Sequence, residues 1–481
     1  MHGNMKNDEA KARASGMVAL GNERMAAGDA NNARAMFLGA VDADPGCAEA
    51  YHKLGNLINS SGRYEASAAL QRKSLALDPS NAEAWNDLGN TLWRVQDFPN
   101  AEVALLRALK LNDKHPGFHH NMGLLYYSVG KPLLGAHHLR RSLDLKPDNI
   151  PLRHDLALTV LKSGDLLEGL KLSEVRWNGM LNKSMVWDTG VVRWTGEDLN
   201  DKTIIIHREQ GFGDSVQFIR FIPQLKKKWP RAKVVFASPN ELIRLLTGRC
   251  EVDEIIDIDQ PGQIVKVAMK ADYHSPLISV LPLIGSTYGN LPSAGPYLRA
   301  LRPSPRGVRR TSPTFNIGLV WSASSGYERS RQRSVPLPAL VTLGELRGVK
   351  LHSLQVGEFN SELVKFGAEN LIVDATNGIR DFADTANVMD TMDLIITVDT
   401  VAVHIAGALG RPTFMFNPIN PCWRWARGAE PWYSSVRLFN QVDPNNWDEP
   451  IERMKFAIVK MMKGDDNDQR KTKRRGSRTS R

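Results

Sequence analysis

Residues 208–220 read REQGFGDSVQFIR and follow the apolar run Thr203 to His207, so two glycines and an aspartate stand between strand-like residues and a helix-like pattern. A Gly211-Phe212-Gly213-Asp214 turn in that setting has three readings: a dinucleotide site, a sugar-transfer site, or a tight turn with no chemistry. A dinucleotide fingerprint needs a third glycine three residues after the second and an acidic residue about twenty further on. Residue 216 is Val, and VVFAS occupies 234–238. The dinucleotide reading therefore lacks two of its parts. A second turn lies in LIITVDTVAVHIAGALGRP, Leu394 to Pro412, where an apolar strand runs into Asp399-Thr400 and a helix that carries His404 and ends at Gly410. Backbone N–H groups at such a helix start, with the Thr400 hydroxyl, make a seat for an anion, to which the dipole adds roughly 0.3–2 kcal/mol. The alternative is an Asp or Thr that only caps the helix.

Both turns need strands to hold them, and the flanking sequence supplies them. Strands are predicted at Thr203–His207, Lys233–Ala237 and Glu254–Ile258, with a helix from Asp214 to Lys228 between the first two. After a Pro- and Arg-rich linker, residues 302–314, the alternation resumes at Phe315–Trp321, Lys350–Gln355, Leu371–Val373, Leu394–Val398 and Thr413–Phe416, with helices at Phe382–Met389 and Ala402–Leu409. Strand and helix alternating on both sides of the linker predict two doubly wound parallel sheets, in lobes at 195–301 and 315–450. Ligands of such sheets bind beyond the carboxyl ends of the strands, which puts both turns at the cleft between the lobes. Asp257-Ile258-Asp259 has the spacing of a metal-binding Asp-x-Asp pair. It ends a strand in the first lobe without a supporting pattern, and no metal is expected there.

The first third of the chain has a different grammar. Blocks of 34 residues starting at Ala14, Ala48, Ala82 and Pro116 align without gaps. Their seventh and eighth positions are Leu20-Gly21, Leu54-Gly55, Leu88-Gly89 and Met122-Gly123. Small residues recur at Ala33, Ser67, Ala101 and Gly135, and again at Ala40, Ser74, Ala108 and Ser142. Small residues let paired helices approach closely; Gly28, Gly62 and Gly130 end the first helix of a block, and a proline near the block's end stops the second. The pattern resembles the tetratricopeptide repeat, with four repeats and a degenerate fifth from Ile150 within 14–178. Such arrays stack into a superhelix whose groove grips peptides or proteins. Asn22, Asn56 and Asn90 occupy the ninth, groove-facing position of the first three repeats, and Leu124 breaks the row in the fourth. An amide offers a donor and an acceptor, so the row is able to hold an extended polypeptide backbone; the other reading is polar surface.

Composition bounds the rest. With 481 residues, 42% hydrophobic and 24% charged, the chain has material for two to four globular units. Cys47, Cys250 and Cys422 are too far apart for a zinc site and odd in number, which favours a reducing compartment. No apolar run is long enough to cross a membrane, and the start has no secretion-signal core, so a cytoplasmic protein without integral membrane contact is expected. The net charge is +10, but residues 470–481 carry seven Lys or Arg and no acid; removing seven leaves +3 for the body. The basic tail, 464–481, reads as solvated chain, and nucleic acid is not the expected partner.

Taken together, Gly213-Asp214 before a helix and Val398-Asp399-Thr400, His404, Ala406-Gly407-Ala408-Leu409 and Arg411-Pro412 resemble the ADP-heptose:lipopolysaccharide heptosyltransferase superfamily over about residues 195–450. With the repeats, and with Val320 to Leu337, Arg380 to Ala386 and Trp423 to Tyr433, the chain resembles a bacterial group that fuses tetratricopeptide repeats to such a domain. O-linked N-acetylglucosamine transferase and a flagellin glycosyltransferase are similarly built. The fold this implies is an all-α tetratricopeptide superhelix followed by an α/β GT-B domain, two Rossmann-like lobes facing a cleft.

The resemblance implies metal-independent, inverting transfer from a nucleotide-sugar, which is a substrate, so no cofactor is expected. Asp214 corresponds to the family's general base, with Gln210, Gly211 and Gly213 on the acceptor side of the cleft. Thr400, with Val401 and the neighbouring amides, would hold the donor diphosphate, with Asp399 and His404 shaping the turn. Arg329, Arg331 and Arg333 would neutralise the leaving group. Trp423, Trp425, Trp432 and Tyr433 read equally as a stacking surface or as a buried cluster. Two residues depart from the family: Phe212 in the first turn, and Val401 where heptosyltransferases have Gly, which keeps the amides further from phosphate. Three functions remain open: a glycosyltransferase acting on Ser or Thr of a polypeptide held by the repeats, with flagellin one candidate; a transferase acting on lipopolysaccharide or another surface glycan; and a non-catalytic scaffold with a decayed transferase domain.

Overall fold

The computed structural model describes residues 2–177, 189–302, 314–323, 330–444 and 446–464. Most of the linker at 302–314 and of the tail at 464–481 lies outside these residues. The chain forms two compact units, residues 1–163 and 164–481. Among the described residues no helix is long and apolar enough to cross a membrane.

The first unit is all helix: His2–Ala26, Ala30–Ala43, Ala48–Ser60, Tyr64–Leu77, Ala82–Arg94, Phe98–Leu111, Pro116–Ser128, Pro132–Leu145 and Ile150–Ser163. Its pairing follows from the repeated glycines. A Cβ on Gly21 would stand 2.4 Å from the Phe37 ring, and one on Gly89 or Gly123 would stand 2.6 or 2.5 Å from Leu105 or Leu139. The second helix of each repeat thus drives a large side chain onto bare backbone of the first, which only glycine allows. Buried Ala33, Ser67, Ala101 and Gly135 provide the matching small surface.

Adjacent repeats are stitched by polar pairs one repeat apart. His52 Nε2 meets Asp87 Oδ2 at 2.7 Å, Asn121 Nδ2 donates to Asn86 Oδ1 at 2.7 Å, and His120 Nε2 meets Asp155 Oδ2 at 2.8 Å. Lys162 Nζ adds a 3.1 Å bond to the Tyr127 carbonyl. Between paired helices the chain turns through a left-handed residue: Gly28, Gly62 and Gly130 at φ 77°, 78° and 74°, but Gln96 at φ 63°. A side chain costs about 1–2 kcal/mol in that region.

The second unit holds two sheets. The first contains β1 (Val192–Arg193), β2 (Thr203–His207), β3 (Lys233–Ser238), β4 (Glu254–Asp257) and β5 (Tyr273–Pro276), in the order β1-β5-β2-β3-β4. The second contains β6 (Phe315–Val320), β7 (Val349–Ser353), β8 (Ile372–Asp374), β9 (Leu394–Thr397), β10 (Thr413–Asn417) and β11 (Val436–Asn440), in the order β11-β10-β9-β6-β7-β8. Every pairing is parallel. Central strands such as Ile204 to Ile206 and Leu394 to Thr397 are buried on both faces, which explains their unbroken apolar runs. Strand order reverses between β2 and β5 in one sheet and between β6 and β9 in the other. The turns around Asp214 and Thr400 follow β2 and β9, so each leaves the carboxyl end of a strand at a reversal.

Several details differ from the sequence expectation. The helix expected over Asp214 to Lys228 is three pieces, Phe212–Phe218, a 3₁₀ turn at Ile219–Phe221, and Ile222–Lys228, the last with Pro223 in its first turn, where a missing N–H costs least. Strands β1, β5 and β11 carry no clear sequence signal: β1 is two residues and β5 ends in proline. The second lobe also extends past residue 450, because the helix Asp448–Met462 buries Ile451, Met454 and Ile458 in the core with Trp321, Phe416 and Trp447.

Two tests follow from this packing. Gln96→Gly should stabilise the first unit by about 0.5–1 kcal/mol, the αL strain relieved minus the entropy glycine adds to the unfolded chain. Its thermal midpoint should rise by about 1–4 °C, and no rise would mean that Gln96 is not strained. Burial also holds the imidazole of His207 down to about 3, of His274 to about 4 and of His138 to about 4. Unfolded imidazoles titrate near 6.5, so the unfolded chain binds the extra protons; this contribution is whole above about pH 6.5 and is lost as pH falls towards about 4 for His274 and His138 and about 3 for His207. For His207 the loss at pH 5 is about 2 kcal/mol. Melting from pH 7.5 to 5 should show a drop that is smaller in His207→Gln, and an equal drop in both proteins would remove His207 as its cause.

Candidate functional site

The first turn is anchored before it reaches its glycines. Glu209 is buried and accepts from Arg176 Nε at 2.7 Å and from the backbone N–H of Ile278 at 2.7 Å. Arg176 also bonds Glu174 Oε1 at 2.7 Å and Ser279 Oγ at 2.9 Å, so the 3₁₀ turn Ser173–Trp177 is tied to the end of β2. Gln210 and Gly211 are exposed, and Gly211 caps the helix Phe212–Phe218. The Asp214 N–H bonds back to the Gly211 carbonyl at 3.1 Å. Phe212, a departure from the resembled family, packs its ring 5.0 Å from that of Phe382.

The second turn is built from the end of β9. Thr400 caps the helix Val401–Leu409, its hydroxyl accepting from Ala402 N–H at 3.3 Å, and Gly410 closes the helix in the left-handed region at φ 68°. Arg333 donates through Nη1 to the Asp399 carbonyl at 2.9 Å and lies 3.7 Å from its carboxylate. The end of β6 stands next to this turn. Its Trp321 and Ser322 N–H groups both donate to Gln355 Oε1 at 3.0 Å, and Val335 N–H reaches the Trp321 carbonyl at 2.9 Å, which brings Arg333 back towards Asp399.

The two turns meet. A Cβ on Gly213 would lie 2.7 Å from His404 Cδ2 and 3.5 Å from Val401 Cα, so the start of one helix rests directly on the other. His404 is buried, shares a 3.0 Å hydrogen bond through Nδ1 with the Tyr433 hydroxyl, and stacks 5.6 Å from Trp425. Burial, with the charges of Arg424 and Arg220, keeps His404 far less basic than a free imidazole, so it is neutral at physiological pH. The Tyr433 hydroxyl lies 3.4 Å from that of Tyr297, which donates to the Val216 carbonyl at 2.7 Å. Arg220 sits over both tyrosine rings and donates to the Trp432 and Ser293 carbonyls at 2.6 and 2.5 Å.

Asp214 is ion-paired with Arg424. Its side chain keeps 18% exposure, and that of Arg424 keeps 12%. Burial raises the Asp214 pKa; Arg424 offsets part of this, and the negative charge of Asp399 adds to it. Arg424 in turn donates through Nε to Gln217 Oε1 at 2.9 Å and lies beside the rings of Phe218 and Trp423, at 5.2 and 4.7 Å. A carboxylate of raised basicity, two arginines and a helix N-terminus therefore share one region of the second unit.

Of the expected site residues, the fold gathers Asp214, Gly213, Asp399, Thr400, Val401, His404 and Arg333, with Gln210 and Gly211 at the rim. Arg329 and the side chain of Arg331 lie outside the described residues. Trp425, Trp432 and Tyr433 are fully buried and Trp423 nearly so, which makes them a closing cluster in this structure. Asp257 accepts from Asp259 N–H at 2.9 Å and from Gln260 Nε2 at 3.1 Å, the bonds of a turn. Sequence reasoning missed Arg424, Gln217, Arg220 and Tyr297. For Arg424 the signal was the density of Arg and Trp in WRWARGAEPWY, and it did not say which arginine faces Asp214. In the repeats, Asn56 donates to Asp87 at 2.6 Å and accepts from Gln71 at 3.0 Å, so its amide is used inside the array. Asn22 and Asn90 are half-buried, with no side-chain hydrogen bond among the described residues.

Comparison with known proteins agrees with the first unit. The tetratricopeptide repeat family profile matches residues 18–82 and 68–117. Protein FlbA of Caulobacter vibrioides is 26% identical over 393 residues, 76% of this chain. The chain spans 65% of the length of that curated relative. Among solved structures, MamA is 24% identical, with 34% of this chain and 97% of that chain covered at a TM-score of 0.31. The pilF protein of Pseudomonas aeruginosa is 21% identical, with 38% and 79% covered at 0.32. The profile match shows tetratricopeptide repeats in the all-helical N-terminal region, and the parallel α/β sheets follow them in the chain.

Proposed function

We propose that the second unit is a GT-B glycosyltransferase of the heptosyltransferase-like kind, and that its acceptor is a Ser or Thr hydroxyl of a polypeptide held by the repeats. The observation that carries the reading is the approach of Asp214 to the Thr400-capped helix start, at the carboxyl ends of strands where both sheets reverse. In this reading Asp214 takes the proton of the acceptor hydroxyl as its oxygen attacks the sugar carbon. The bond from that carbon to the diphosphate breaks, and the leaving oxygen keeps the electron pair. One base on one face gives inversion. The N–H groups of the helix start, the Thr400 hydroxyl and Arg333 receive the charge that develops. A general base of this kind contributes about 10²–10⁴-fold. Flagellin is one candidate acceptor on architecture alone.

A surface glycan is the second reading of the acceptor, and one observation favours it. The amide of Asn56 is spent on Asp87 and Gln71, so the groove offers two of the three expected asparagines to a backbone.

The test is thermal unfolding of the full chain against ADP-, UDP-, GDP- and CMP-sugars. A donor at about 100 times its Kd stabilises by roughly 2.7 kcal/mol, a shift of about 5–10 °C for a unit of this size. The expected result is a shift with one nucleotide that Thr400→Trp abolishes. Asp214→Asn should keep the shift and lose transfer to a polypeptide or glycan acceptor. Absence of any shift would replace the transferase with a scaffold.

A further inference from the structure

Arg424 has the geometry of a residue that changes partners. Of the five N–H groups of a guanidinium, three are engaged: Nε by Gln217, one on Nη1 by Cys422 Sγ at 3.2 Å, and one on Nη2 by Asp214. Among the described residues the other two have no hydrogen-bond partner. Phe218 and Trp423, stacked 6.4 Å apart, both lie beside the guanidinium, at 5.2 and 4.7 Å, and neither consumes a donor. Next to it Gln217 is fully buried, and among the described residues its Nε2 has no hydrogen-bond partner. A buried donor without an acceptor is destabilising, and an oxygen-rich ligand would satisfy it. The Thr400-capped helix start lies one residue from Asp214, across the Gly213–Val401 contact. An anion seated there would arrive beside the guanidinium while it is bound to the carboxylate.

We propose that Arg424 is a donor-responsive cap on Asp214: in the free chain it holds the carboxylate, and the diphosphate of a nucleotide-sugar takes the guanidinium over and frees the base. The inference rests on the transferase reading above and deepens it. Its consequence is an order of binding. Without donor, the Asp214 carboxylate is occupied by the guanidinium and is not free to take a proton from an acceptor hydroxyl or from water; with donor, the cation moves to the phosphates, where the leaving charge forms. Arginine suits the exchange because its fork matches carboxylate and phosphate alike. Arg424 thus acts on Asp214 in the free chain and on the diphosphate in the bound one.

The signature is a competition that binding alone reads. Asp214 and diphosphate contend for one guanidinium, so removing the carboxylate should strengthen diphosphate binding. Titration calorimetry on the full chain with inorganic pyrophosphate and with ADP, UDP, GDP and CDP measures this. The expected result is roughly tenfold tighter binding in Asp214→Asn and roughly tenfold weaker binding in Arg424→Gln. The double variant should bind no tighter than Arg424→Gln, because the gain acts through Arg424. Loss of a nearby negative charge alone would raise affinity in both backgrounds, and that outcome overturns the proposal. If Thr400→Trp abolishes binding while Asp214→Asn and Arg424→Gln both match the unaltered chain, the cap is refuted and the donor site stands. If neither the unaltered chain nor Asp214→Asn binds any probe, the donor site falls and the cap with it. Should Arg424→Gln fail to fold, Arg424→Lys serves in the same cycle, and an undiminished Asp214→Asn gain in that background again overturns the proposal.

Discussion

At Gly213 the ring of His404 stands 2.7 Å from where a Cβ would be, so the helix that begins with the first turn rests on the helix that follows the second. Much of the second unit is arranged around that contact. It sets how close the two sheets come, and it places Asp214 one residue from the helix start capped by Thr400. The contact also explains why His404 is buried and neutral: its ring is packing material against Gly213, Trp425 and Tyr433. Gly407 repeats the device one turn further on, where a Cβ would meet the Tyr433 ring at 2.5 Å. Glycine here is required by approach distance, with no demand on φ.

Bringing the lobes together buries charge, and each buried arginine is compensated differently. Arg176 is held by Glu209 and Glu174. Arg220 has no carboxylate partner among the described residues; two carbonyls and two tyrosine faces replace water around it. Arg424 has one carboxylate, one amide oxygen and two aromatic faces. Breaking a buried pair costs several kcal/mol because a charge is left unpaired. The first is satisfied by its carboxylates and Ser279 and reads as structural, while in the second the Nε of Arg220 is buried without a hydrogen-bond partner among the described residues. The third leaves donors of Arg424 and Gln217 unspent beside Asp214 and the Thr400-capped helix start, and it is this placement that marks the region for a ligand.

The repeats obey the same economy. Their polar inner positions are largely spent on one another: His52 with Asp87, Asn86 with Asn121, His120 with Asp155. A side chain that stitches neighbouring repeats cannot also bind a guest at full strength, and Asn56 is in that position. Asn90 is not, although its repeat places it at the equivalent point.

Much of this was legible from residue order. The 34-residue period announces the helical repeats because each repeat buries its face only against the next, so the same small residues must recur. The apolar runs at Thr203–His207 and Leu394–Val398 announce parallel strands because both faces of such sheets are covered. The two turns could be found because glycine next to aspartate, and threonine before an apolar helix, are local signals. What escaped were short strands such as Tyr273–Pro276, whose residues are chosen by the neighbour they pair with, and Arg424, which lies 210 positions from Asp214. By itself the sequence determined the repeat architecture, the α/β elements and the identity of the turns, since period, burial pattern and turn chemistry act within a few residues. Only the tertiary structure decided which charge faces Asp214, which asparagine is already engaged and which aromatics are core. Those outcomes depend on distances between residues that the chain brings together from far apart, and no local preference encodes them.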